Sequence, residues 1–158
     1  MPETTASFAD RAALRAWFAQ NATIRTELWV HIHKAGTGVP SVAWEDCVIA
    51  ALAVGWIDGI KKSLGPDAYI QRLTPRKKAS GWSKRNRDHA ERLIAAGEMS
   101  AAGRAEVDAA KADGRWDAAY SGPSAMEIPD DFRVALQDHP QAAGTFATLN
   151  KQNLYAIY

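Results

Sequence analysis

The segment "WIDGIKKSLGPDAYIQRLT", residues 56–74, narrows the fold more than any other stretch of the chain. "WIDGIKKS" and "AYIQRLT" read as strands, and "LGPD" between them is made of turn formers. Strands joined by so short a connection pair antiparallel, so the spacing predicts a hairpin. A further strand signal lies upstream in "ELWVHIHK". There Leu28, Val30 and Ile32 point one way and Trp29, His31 and His33 the other.

Helical spacing fills most of the remainder. "SFADRAALRAWFAQN" predicts a first helix with Ser7 as its N-cap and Asp10 three residues on. "VAWEDCVIAALAV" predicts a second, stopped by Gly55, with Cys47 on its apolar stripe. Ser83 is placed to cap a helix carrying Ala90, Leu93 and Ile94 that ends at Gly97, and Ser100 to cap the next, ending at Gly114. "KAGTGVPS" and "PRKKASG" read as loops and "GPSAMEIP" as a linker. "DDFRVALQD", a segment opened by Pro140, and "NKQNLYAIY" add helices at the C-terminal end. The expectation is an α+β single domain over 1–158. It has a small, mostly antiparallel sheet of about three strands from residues 1–80, packed with a mainly helical half, 81–158.

The charge is distributed unevenly. Net charge is +1 over the whole chain, yet residues 1–60 carry −2, residues 61–92 carry +7 and residues 93–158 carry −4. A local basic band on a near-neutral protein points to an anionic partner. Hydrophobic residues at 47% and charged residues at 23% fit a globular chain. One cysteine cannot close an intrachain disulfide. "MPETTASFADR" lacks the pattern of a signal peptide, and "CVIAALAVGWI" is too short to span a bilayer, so the expected location is cytoplasmic.

Several motifs are similar to those of the bacterial OmpD-associated family, also called YdeI-type or bacteriocin-protection proteins. They are "GWIDG", "QRLTPRKKASGWSKRN", "AAGEMSAAG", "AAKADGRWDAAY" and "IPDDFRVAL". The resemblance covers most of the chain from Trp29 onward. It implies a stress or envelope-protection role and association with a porin, and it carries over no catalytic site. Members usually continue past the segment matching "NLYAIY" into a basic helical tail, whereas this sequence stops at Tyr158. The expectation is therefore a final helix without its usual neighbour, or an incomplete chain. His31 and His33 fall outside the family pattern.

The basic band supplies the main candidate site: Lys61, Arg72, Arg76, Lys77, Lys78, Ser80, Trp82, Ser83, Lys84, Asn86 and Arg87. Cations, hydroxyls, a helix start and an indole face suit a phosphate-bearing ligand or single-stranded nucleic acid. The competing reading is a solvated loop paired with the acidic C-terminal helices, with Arg72, Arg76, Ser83 and Asn86 as internal braces. An enzyme reading would use Asp58 as a general base with Lys61, Arg72 and Arg76 around a small anion. A third reading is a protein-interaction module using the C-terminal helices. His31, His33 and Cys47 lack a third metal ligand at a diagnostic spacing, and Cys47 reads as a core thiol. No phosphate-cradling loop, zinc motif or serine-hydrolase elbow is present in the sequence. No cofactor or metal is expected, and nothing in the sequence sets an oligomeric state.

Overall fold

The computed structural model describes residues 1–122 and 127–157. The middle of the expected linker, 123–126, lies outside the described residues. The chain divides into two compact units: Met1–Trp82 with Asn86–Ala119, and Ser83–Arg85 with Tyr120–Tyr158. The first unit therefore does not end near residue 80; it also takes in most of the next two helices.

The first unit contains strand β1 (Thr5–Ser7), helix α1 (Arg11–Asn21), strand β2 (Leu28–His33) and helix α2 (Trp44–Ala53). Strands β3 (Trp56–Ser63) and β4 (Ala68–Pro75) follow. Helix α3 (Lys84–Ala95) begins in the second unit and continues in the first, followed by α4 (Ala101–Ala112). The sheet has four strands in the order β1-β2-β4-β3. β3 and β4 form the expected antiparallel hairpin, and β4 pairs antiparallel with β2.

Two expectations are corrected. The sheet is mixed with four strands, because β1 adds to β2 in parallel. Ser7 ends β1 instead of capping α1; the cap is Asp10, whose carboxylate accepts from Ala13 N. An extended residue 10 leaves its side chain free to reach back over the first turn, which Ser7, held in the ladder, cannot do.

The alternation in β2 sets which side is covered. Leu28, Val30 and Ile32 join Leu14 and Phe18 of α1, Cys47, Ala50 and Ala51 of α2, and Trp56 and Leu73 in one buried cluster. A second cluster places Val48, Leu52 and Ala53 of α2 against Trp82, Ala90, Leu93, Val107, Ala110 and Trp116. Helix α2 thus has apolar residues on two sides and joins both cores. Gly55 makes the turn from α2 into β3 with φ +79°, a conformation that suits glycine.

The second unit holds α5 (Asp130–Gln137), α6 (Pro140–Ala147) and α7 (Lys151–Ile157). Asp130 and Asp131 occupy the first turn of α5, and Pro140 opens α6. Phe132 and Phe146 meet at 5.5 Å. None of the three helices has a buried residue among those described. Within this unit Ser83 bridges Tyr120, and Lys84 N donates to Tyr120 O at 2.9 Å. Among the described residues, no helix is long and apolar enough to cross a membrane.

Candidate functional site: a dispersed basic band and a polar cleft

The basic band does not fold into one patch. Lys61 pairs with Gln71, while Trp56 pairs with Pro75 at the other end of the hairpin. Gln71 and Pro75 are four residue steps apart on β4, about 13 Å at ~3.3 Å per residue. Lys77 and Lys78 follow Pro75, so they lie near the opposite end from Lys61 and Lys62. Lys62 covers the Trp29 ring at 4.8 Å and Lys61 stands 5.9 Å from that of Tyr69.

Arg72 and Arg87 of the band are committed to partners within the protein, and Arg76 and the indole are buried. Arg72 Nη2 lies 2.6 Å from Glu27 Oε2, and Arg72 Nε donates to the same oxygen. Trp29 Nε1 donates to Glu27 Oε1, which also accepts from Thr4. These bonds hold the Glu27 carboxyl below its usual pKa, the Arg72 hydrogen bond most of all, against the opposing effect of burial.

Arg76 is 7% exposed, with its guanidinium over the Trp82 ring at 3.7 Å and its Nη1 donating to Gly81 O. Trp82 is only 2% exposed and packs on Trp116 at 5.0 Å. The expected stacking surface at Trp82 is therefore corrected: a buried indole already covered by a guanidinium has no free face for a base. Ser80 Oγ accepts from Lys77 N and Ser80 O from Arg115, while Arg87 donates to Trp116 O. Ser83 and Asn86 are half-buried, and both have partners.

Asp58 is not surrounded by the cations expected beside it. Its carboxylate accepts from Trp44 Nε1 at 3.1 Å, tying α2 to β3. A bulge separates Asp58 from Lys61, and Gln71 caps the bulge by donating to Gly59 O and Ile60 O. Asp58 is in register with Leu73, on the helix-covered side, whereas Arg72 takes the other side of β4.

His31 and His33 share the helix-free face of the sheet, with ring centroids 4.5 Å apart and His31 Nδ1 3.3 Å from Ser7 Oγ. Cys47 belongs to the core on the opposite side. Burial, with Asp46 and Asp58 nearby, pushes its thiol pKa up to about 12. Among the described residues no three His, Cys, Asp or Glu side chains form a group suited to a metal ion.

One polar concavity was not singled out by sequence reasoning. A cleft of about 320 Å³ is lined by Arg11, Glu45, Ile49, His89, Arg92 and Glu98, among others. His89, Arg92 and Leu93 recur at one-face spacing on α3, with Ala96 just past its end, and Glu45 and Ile49 do so on α2. The His89 side chain is 7% exposed, with Nε2 3.4 Å from Glu45 Oε1. Glu98 is held by Arg15 at 2.6 Å, and Asp46 lies 3.7 Å from Arg11. Arg92 is exposed and makes no ion pair among the described residues. The usable signal was a histidine inside the apolar stripe of a helix, one turn from an arginine.

Fold and sites together define a small α+β protein with a lysine-bearing hairpin and a charged cleft. Residues 6–106 match the family described as a Domain of unknown function (DUF8412), and the chain belongs to that family. The matched range contains the basic band and every cleft residue named above. Neither the curated proteins nor the solved structures include a match.

Proposed function

We propose that the chain is a cytoplasmic, non-enzymatic binding protein for a phosphate-bearing polyanion, nucleic acid among them. The observation that carries this reading is the fate of the band's lysines. Lys61, Lys77 and Lys78 are exposed and in no ion pair among the described residues. Among the acids, Glu27 pairs with Arg72, Glu98 with Arg15, Asp108 with Arg104 and Asp113 with Arg115, none of them with these lysines. Burial of Trp82 leaves phosphate contacts as the basis for binding, which carry no base sequence information. The likeness of "QRLTPRKKASGWSKRN" to the OmpD-associated proteins supports a stress or envelope-protection role.

The test is titration of a fluorescent single-stranded oligonucleotide, with a mononucleotide as the comparison. Exchange of both Lys77 and Lys78 for Glu is expected to weaken binding about tenfold or more, the scale of charge-assisted contacts. Equal affinity in that variant overturns the reading.

A second reading, a protein-interaction module, is favoured by a groove within the second unit. It measures about 260 Å³ and is lined by Ile128, Phe132, Phe146, Leu154 and Ile157, with Pro129 and Asp131. Phe132 is 40% exposed and Ile157 59%. An apolar groove of this kind takes the apolar face of a partner helix. Phe132→Asp should abolish capture of such a partner and leave oligonucleotide binding unchanged.

A further inference from the structure

We propose that the cleft between α1, α2 and α3 binds a small oxyanion, a carboxylate or phosphate group, gripped by Arg92 and completed by protonated His89. It is separate from the lysine site, for none of Lys61, Lys77 and Lys78 lines it.

The size comes first. A cavity of about 320 Å³ is at the small end of ligand pockets and suits a metabolite-sized molecule, not a polymer. The chemistry of the walls comes next. Ile49 and Leu93 supply an apolar floor, and Arg92 presents an exposed guanidinium that is in no ion pair among the described residues. A guanidinium binds carboxylate or phosphate through two parallel hydrogen bonds. His89 lies one helical turn before Arg92, so both face the same space.

The charge balance makes His89 decisive. Lining the cleft with it are Arg11 from α1, Glu45 from α2, Arg92 on its own helix and Glu98 just after it, with Arg15 paired to Glu98 and Asp46 3.7 Å from Arg11. The three guanidiniums offset the three carboxylates. The proton on His89 therefore sets the sign of the cleft, neutral without it and positive with it. Glu45 Oε1, 3.4 Å from Nε2, favours the imidazolium, while burial of the ring opposes it. Anion uptake should accordingly rise as pH falls through the histidine range.

Acetate and inorganic phosphate, titrated separately into the intact chain, are the probes, with the His89 ring resonances as readout. Acetate keeps its charge between pH 6 and 8 on the usual carboxylate scale, about 4, so any pH dependence it shows belongs to the protein. The expected result is a saturable His89 shift with at least one of the two anions, stronger at pH 6 than at pH 8. The anion that binds identifies the group preferred. Arg92→Ala, an exposed change, should weaken it about tenfold. In His89→Gln, where backbone amide resonances of the cleft replace the lost ring signal as readout, the pH dependence should vanish while Arg92-dependent binding remains. Exchange of Lys77 and Lys78 for Glu should change neither, which separates failure of this site from failure of the polyanion site. Absence of a saturable shift with both anions, an unchanged affinity in Arg92→Ala, or uptake indifferent to pH overturns the proposal.

Discussion

A Cβ added to Gly103 would stand 2.6 Å from Ala53 O and 2.9 Å from Leu52 O. Those carbonyls end α2, and Ser100 N also donates to Ala53 O, so α4 meets the end of α2 at this glycine. In an exposed helix interior, Gly→Ala raises stability by roughly 0.5–1 kcal/mol. Here the clash is with backbone, and the required shift costs about 1–3 kcal/mol. Gly103→Ala is expected to lower the urea midpoint; a raised midpoint contradicts this contact. Cys47 gives a second residue-scale outcome. Its thiol pKa is pushed up to about 12 and it is fully buried, so a thiol reagent at pH 8 should label it only after denaturation. Labelling of the native protein would mean that the core opens without global unfolding. Cys47 was legible in the sequence, because it fell among the apolar residues of a clearly helical segment. Arg76 was legible only as one of two readings, ligand contact or internal brace, and the burial of Trp82 was not legible. Cations and turn formers signal solvent, and no one-dimensional pattern reveals a guanidinium over an indole 3.7 Å away.

Among the elements, β2, β3 and β4 were readable because alternation and turn chemistry act over neighbouring residues. β1 was not, since three residues are too few to alternate. Its place depends on a parallel pairing with β2, where Trp29 N donates to Thr4 O. Next to it, the Glu27–Arg72 pair links the loop before β2 to β4, the two inner strands of the sheet. Glu27 has its pKa lowered in the folded protein, so its contribution to stability is present above the unfolded carboxylate value. It is lost as pH falls through the folded value. Both side chains are partly exposed, at 41% and 30%, so screening holds the pair to at most about 1 kcal/mol. Arg72→Ala should therefore be less stable than the parent at pH 7. The two denaturation midpoints should converge as pH drops below about 4, where the unfolded glutamate protonates. A gap independent of pH would assign the loss to packing of the Arg72 stem. The cleft shows the same limit on legibility as β1. Its walls come from α1, α2 and α3, and His89 on α3 meets Glu45 on α2 only after the helices have packed.

At the scale of the molecule, the +7 of residues 61–92 was plain in the sequence, but its layout was not. The hairpin register moves Lys61 away from Lys77 and Lys78, and the core takes Arg76. This dispersal limits how strongly salt can act on polyanion binding. Each phosphate neutralised contributes about −0.7 to the slope of log K against log salt for a single strand. If Lys61, Lys77 and Lys78 are the contacts, the slope should be close to −2. Affinity would then fall about 20-fold between 50 and 200 mM salt. Replacing Lys61 with Ala should reduce the slope by about 0.7, and so should the same change at Lys77. The arginine braces should behave differently. Arg72→Ala alters stability through Glu27 but should leave the slope unchanged, because its guanidinium is already committed. A flat dependence on salt would remove the polyanion reading. A slope well beyond −4 would mean that binding recruits cations outside these three, the committed Arg72 and the buried Arg76 among them.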